Sequence, residues 1–309
     1  MNRYYSNGKL LLTGEYVVLD GATSLAVPAQ FGQDLILESI KEPQLVWQSF
    51  TSTGECWFEA TFDLPKLRLK NASFSSATEG SAEFIAETLQ TILNEARKLN
   101  TDFLQTTSGF VVKTNLSFPQ NWGLGSSSTL INNIASWAKV DAYSLLWNAF
   151  SGSGYDIACA QNDVPILYQL ENKKALVNPV EFNPTYKEEL FFVYLNKKQN
   201  SRDGIAHYRK NNQNIKQEIL DISTLSQEFI KAESAKDLEG ILNEHEAIIS
   251  SIIKLNPVKN ELFSDYFGAV KSLGAWGGDF VLVTGNEDTP KYFNQRGYNT
   301  ILPYSEMIL

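Results

Sequence analysis

Pro119-Gln120-Asn121-Trp122-Gly123-Leu124-Gly125-Ser126-Ser127-Ser128 sets two glycines and three hydroxyls in front of an amphipathic stretch. The apolar run Gly109–Leu116 that leads into it reads as a strand, and Leu130, Ile134, Trp137 and Ala138 recur after the serines at helical spacing. The reading is strand, tight glycine turn, helix N-terminus. The first turn of a helix leaves backbone N–H groups without intrahelical partners and carries about half a positive charge of dipole, which suits an anion. Glycine lets a phosphate approach the backbone closely, and serine hydroxyls can donate to its oxygens or ligate Mg²⁺. Gly123, Leu124, Gly125, Ser126, Ser127 and Ser128 are therefore the candidate phosphate cradle, with Ser127 the hydroxyl expected on the metal. The alternative is a flexible Gly/Ser loop with a serine cap. It is no Walker A loop, because no lysine sits among the serines.

A chain of 309 residues, 43% of them hydrophobic, can fill the cores of two modest domains and is neither disordered nor fibrous. Two cysteines, Cys56 and Cys159, far apart in sequence, make no disulfide framework, and two histidines, His207 and His245, argue against a zinc site. The net charge of −9 argues against a nucleic-acid surface and requires local cations to capture an anionic substrate. Met1-Asn2-Arg3-Tyr4-Tyr5 carries no apolar signal region, and no run of about 18 apolar residues occurs. The expectation is a soluble, cytoplasmic protein with no membrane partner.

Lys9–Leu12 and Glu15–Leu19 read as short β-type runs, Asp20-Gly21 as a turn, and Ser24–Val27 as the strand beyond it. Leu35–Glu38, Leu45–Trp47 and Cys56–Phe62 read as further strands. Ile85, Leu89, Ile92, Ala96 and Leu99, at alternating steps of four and three, predict one amphipathic helix. Helices are expected at Ala142–Phe150, after Gly154, and in three stretches between Lys216 and Leu273. Strands are expected at Leu190–Leu195 and Phe280–Thr284. Asn196–Asn214, rich in Lys, Asn, Gln and Arg, reads as a mobile loop, and a domain boundary is expected within 150–185.

The complete P-x-x-x-G-L-G-S-S-S string resembles the phosphate-binding motif of the GHMP kinase superfamily, which groups galactokinases, homoserine kinases, mevalonate kinases and phosphomevalonate kinases. Gly8-Lys9-Leu10-Leu11-Leu12-Thr13-Gly14-Glu15-Tyr16-Val17-Val18-Leu19-Asp20-Gly21 is similar to the first motif of that superfamily. Gly152-Ser153-Gly154-Tyr155-Asp156 is similar to the aspartate setting of mevalonate and phosphomevalonate kinases, and Gly154–Ala158 resembles the GYDIA branch. The third motif departs. It reads Gly274-Ala275-Trp276-Gly277-Gly278-Asp279, with Trp276 where a glycine is common. A ring with a Cβ cannot admit a phosphate as glycine does, so Trp276 is expected to pack in the core.

The resemblance implies an α+β protein with the two-domain GHMP kinase fold. Its ribosomal-protein-S5-like, ATP-binding domain would span 1–165 and its ferredoxin-like GHMP kinase domain 166–309. It implies an ATP-dependent kinase that uses ATP and Mg²⁺ and moves the γ-phosphoryl to a small anionic metabolite. Lys9 would reach the substrate hydroxyl or the transferred phosphate, and Asp156 would orient or deprotonate the nucleophile, although a helix cap also explains an aspartate there. Substrate contacts are expected from Glu15, Tyr16, Ser153, Gly154, Arg202, Gly277 and Gly278. Glu15 also reads as a buried structural carboxylate, and Lys197, Lys198 and Arg202 also read as a solvated charge run. Gly14-Glu15-Tyr16-Val17-Val18 in place of G-E-H-T-D-Y speaks against a sugar, and Asp156 speaks against homoserine. Mevalonate and phosphomevalonate both stay open. The alternatives are a GHMP-fold sensor that binds nucleotide or metabolite without turnover, which the altered third loop favours, and a kinase for another small alcohol such as homoserine or a sugar. A homodimer is compatible with each.

Overall fold

Alternation of buried and less buried residues along Gln44–Phe50 and Cys56–Asp63 gives that part of the sheet one buried face. The computed structural model describes residues 2–75 and 81–309. Contacts divide the chain into two units. The first comprises Met1–Gly8, Phe31–Gln120 and Gly125–Gln161, and the second Lys9–Gln30, Asn121–Leu124 and Asn162–Leu309.

Strands β1 (Asn2–Leu11) and β2 (Ser24–Ile40) run through the division, so each contributes residues to both units. The first unit adds β3 (Gln44–Phe50), β4 (Cys56–Asp63), β5 (Leu69–Phe74) and β6 (Gly109–Leu116). β6 pairs antiparallel with the second half of β2, from Gln33 opposite Leu116 to Ile40 opposite Gly109, and parallel with β3. β4 and β5 extend the sheet antiparallel. Leu45, Trp47, Phe58, Ala60 and Phe62 fall on one face and are buried, as a period of two requires. Helices α1 (Ala82–Leu99), α2 (Ser126–Ala138), α3 (Ala142–Ala149) and α4 (Tyr155–Ala160) belong to the same unit. Ser81 caps α1 by accepting the Phe84 N–H, and Ala86, Leu89, Ile92, Leu93 and Ala96 join the sheet residues in one core.

The second unit contains β7 (Ile166–Glu171) and β8 (Lys174–Pro179), with β7 paired to Ser24–Ala26 of β2. A separate antiparallel sheet has the order β10-β11-β9-β12, from β9 (Leu190–Tyr194), β10 (Val270–Ser272), β11 (Phe280–Thr284) and β12 (Ile301–Pro303). Its helices are α5 (Ser201–Asn211), α6 (Lys216–Lys231), α7 (Ala235–Ile253), α8 (Val258–Leu262), α9 (Thr289–Asn294) and α10 (Tyr304–Met307). Ile222, Leu225, Ile249, Ile252 and Ile253 pack with Tyr16, Val17, Tyr208 and Trp276 in one apolar cluster. Among the described residues no helix is long and apolar enough to cross a membrane.

Two sequence expectations are corrected. Glu15–Leu19 is no strand: Val17–Asp20 is one turn of 3-10 helix, entered through positive φ at Gly14 (86°) and Tyr16 (66°). A short apolar run has no period long enough to separate strand from helix, and here the turn at Gly14 decides. Asn196–Asn214 is largely helix, not loop, because α5 occupies Ser201–Asn211 with Asn200 as its cap. Only Tyr208 of that helix is fully buried, so the sequence offers no apolar stripe to reveal it.

Candidate active site

The glycine-serine stretch makes the helix N-terminus expected of it. Gly125 is the N-cap of α2 in left-handed backbone (φ +88°), no side chain caps the helix, and no acidic residue lies in its first turn. Ser127 is exposed, with Ser126 and Ser128 half-buried beside it. The helix is pinned to β2 of the same unit: Thr129 Oγ1 donates to Gln33 Oε1 at 2.7 Å and Asn133 Nδ2 to the Gln33 carbonyl at 3.0 Å. First-turn N–H groups and three hydroxyls, with no acidic residue in that turn, suit an anionic oxygen cluster.

Asp156 lies half-buried in the first turn of α4. The cap there is Gly154 at φ +92°, so capping does not account for the aspartate. Ser153 and Gly154 are buried, and Trp147 Nε1 holds the approach by donating to the Gly152 carbonyl at 3.3 Å.

Four stretches far apart in sequence converge in the second unit. The Lys9 N–H donates to the Leu124 carbonyl at 3.1 Å. Trp122 stands edge-on to Phe280 at 5.4 Å between centroids, and a Cβ on Gly123 would overlap the Asp279 carboxylate. Gly277 is exposed at φ +76°, and a Cβ on the buried Gly278 would come within 2.9 Å of the Lys197 carbonyl. Burial pushes the Asp279 carboxyl up, opposed by the Gln199 N–H and by the charges of Lys9 and Lys198. Trp276 is 1% exposed and packs in the core, as expected, although its φ of +41° is unusual for an aromatic residue. Arg202 is exposed in the first turn of α5, its N–H donating to Asn200 Oδ1 at 3.0 Å.

Glu15 belongs to the interior, which favours the structural carboxylate over the substrate contact. It is 1% exposed, and Lys271 Nζ, also buried, donates to its Oε1 at 2.5 Å. His245 accepts the Gly14 N–H on Nε2 at 2.9 Å, which places its proton on Nδ1. Burial, with the Lys271 charge, holds the imidazole well below its ordinary 6.5 and hence neutral. Tyr16, 8% exposed, stacks on Tyr208 at 5.6 Å, and a Cβ on Gly204 would come within 2.6 Å of its hydroxyl.

Glu246 closes this buried group. It accepts the Ser272 N–H at 3.1 Å and the Ser272 hydroxyl at 3.2 Å. Burial pushes its carboxyl up to about 8, with Lys271 opposing and Glu15 adding. The unfolded chain releases that proton near 4.5, so between the two values the folded state alone holds it and stability falls as pH rises. His245 acts only below 6.5, in the opposite sense. Urea unfolding at pH 6.5 and at pH 8 is therefore expected to show the parent losing stability and Glu246→Gln losing less, because glutamine keeps an acceptor for Ser272 without the ionisation. Parallel pH profiles would refute the assignment.

No family profile and no curated protein sequence matches the chain. Solved structures do. The mevalonate kinase of Methanococcus jannaschii matches over 97% of this chain and 96% of its own, with a TM-score of 0.68 at 15% identity. A Lactococcus lactis galactokinase solved with galactose matches over 99% of this chain and 93% of its own, with a TM-score of 0.66 at 13% identity. The Streptococcus pneumoniae phosphomevalonate kinase solved with phosphomevalonate and AMPPNP matches over 96% of each, with a TM-score of 0.66 at 14% identity. The chain has the GHMP kinase fold. Sequence reasoning missed Asp279 beside the candidate phosphate loop and Lys271, His245 and Glu246 in the buried cluster around Glu15. Asp279 carried a signal, since it closes the glycine stretch of the third motif; Lys271, between Val270 and Ser272, carried none.

Proposed function

We propose that the protein is an ATP-dependent phosphotransferase of the GHMP type that moves the γ-phosphoryl of ATP to mevalonate or phosphomevalonate. The observation that carries this reading is the hydrogen bond from the Lys9 N–H to the Leu124 carbonyl, which ties the first motif to the glycine loop in the unit that also holds Gly277, Gly278 and Asp279. The left-handed Gly125 and the acid-free first turn of α2 fit a nucleotide phosphate, with Ser126–Ser128 as donors and Ser127 offering an oxygen to Mg²⁺. Mg·ATP supplies the phosphoryl group and neutralises its charge. Lys9 places a point charge for the negative charge that develops in transfer, and Asp156 orients the attacking hydroxyl and accepts its proton late. Gly14-Glu15-Tyr16 and Gly152-Ser153-Gly154-Tyr155-Asp156 favour the mevalonate-type substrates.

The test is ADP release from Mg·ATP with mevalonate, phosphomevalonate, homoserine and galactose offered separately. ADP is expected with one of the first two. Release only with galactose or homoserine would keep the phosphotransferase and replace its substrate. Nucleotide binding without ADP release from any of the four would favour the sensor.

A further inference from the structure

A single residue brackets Lys198. The Asp279 N–H donates to the Lys197 carbonyl at 2.7 Å, and Asp279 Oδ1 accepts the Gln199 N–H at 3.2 Å, so the peptide groups on both sides of Lys198 are tied to Asp279. Gly278 lets the two segments meet, since a Cβ there would come within 2.9 Å of both the Lys197 carbonyl and Gln199 Cβ. The same carboxylate lies against Gly123 of the glycine loop, whose neighbour Trp122 rests on Phe280. Asp279 is 9% exposed and Lys198 is exposed.

A carboxylate buried beside a phosphate-binding glycine repels a phosphate unless cations stand with it. Lys9 and Lys198 are the cations whose charges act on Asp279. Asp279 also sits at φ +54°, outside the regions most L-residues occupy, and such conformations collect at functional sites. An ammonium is a compact charge on a flexible stem, so fixing the backbone on both sides lowers the entropy lost when it grips a ligand.

We propose that Lys198 is a second phosphate-gripping cation of this site, contacting the terminal phosphate of bound nucleotide, and that Asp279 is the residue that positions it. This rests on the phosphotransferase reading. The experiment is calorimetric titration of the full chain with Mg·AMPPNP and with Mg·ADP. Lys198→Met is expected to weaken Mg·AMPPNP roughly tenfold and Mg·ADP much less, as loss of one charge-assisted contact to the terminal phosphate requires. Lys198→Arg should restore most of that loss. Asp279→Asn keeps an acceptor for Gln199 and should retain the preference for Mg·AMPPNP. Asp279→Ala should lose it, and the double variant Lys198→Met/Asp279→Ala should bind no more weakly than Lys198→Met alone.

Unchanged Mg·AMPPNP affinity in Lys198→Met overturns the cation. Additive losses in the double variant, or equal losses for both nucleotides in Asp279→Ala, overturn the positioning role. If Asp279→Ala does not fold, the positioning role is read from Asp279→Asn, and loss of the Mg·AMPPNP preference there overturns it. A parent chain that binds neither nucleotide overturns the phosphotransferase reading together with this inference.

Discussion

Asp156→Asn is expected to lower kcat by roughly a hundredfold or more with nucleotide affinity little changed, and Lys9→Ala to lower kcat by a similar factor. Asp156→Asn removes a charge at nearly constant shape, and Lys9→Ala removes the ammonium with its half-buried stem. Asparagine is isosteric with aspartate, and Gly154 caps α4 without help from residue 156, so the helix start survives. Alanine at position 9 keeps the backbone N–H that holds the Leu124 carbonyl, so the attachment of the glycine loop survives as well. What is lost is a carboxylate in one variant and an ammonium in the other, the two groups that the proposed reaction uses. Steady-state turnover with the accepted substrate, beside calorimetric affinity for Mg·AMPPNP, separates chemistry from binding. Undiminished turnover in either variant removes that residue from the reaction.

Lys271→Met is expected to destabilise the protein by about 3–5 kcal/mol, the usual consequence of removing one partner from a buried ion pair. Total stabilities of about 5–15 kcal/mol make that a large fraction. The substitution strands the Glu15 carboxylate, whose Oε2 already has no hydrogen-bond partner, in a buried site shared with Glu246. Glu15→Gln/Lys271→Met removes both charges and should recover part of the loss, so the two changes are far from additive. Urea midpoints of the parent, the single and the double variant give the comparison. A single variant as stable as the parent would show that the pair contributes nothing to holding the first motif against β10.

Where the chain repeats a pattern, the sequence is legible. The spacing from Ile85 to Leu99 gives α1, the apolar run Gly109–Leu116 gives β6, and Phe280–Thr284 gives β11 at the same residues. The glycine-serine stretch could be placed on a helix N-terminus because two glycines and a following apolar period mark that local structure by themselves. Relations over long separations are different. Nothing near Lys271 says that it will be buried against Glu15, and nothing near Lys198 says that Asp279 will fix it, because each pairing is made by tertiary packing between elements whose own patterns are unremarkable. The helix at Ser201–Asn211 was hidden for a related reason: its apolar face is only Ile205 and Tyr208, and the contacts of Tyr208 and Arg209 with Asp20 supply the rest of its attachment.

The division of the chain into interleaved segments bears on its synthesis. The polypeptide passes between the units after residues 8, 30, 120, 124 and 161. By the time residue 161 has been made, every segment of the first unit exists, yet Lys9–Gln30 and Asn121–Leu124 still lack the remainder of theirs. Val17, Ala22 and Glu15 then wait for Tyr208, Ile249 and Lys271, exposing apolar surface on the nascent chain and leaving Glu15 without its ion-pair partner. A ribosome-bound fragment ending near residue 165 thus carries the first motif without the partners that bury it, and the candidate chemistry of Lys9 can be assembled only when nearly the whole chain has emerged.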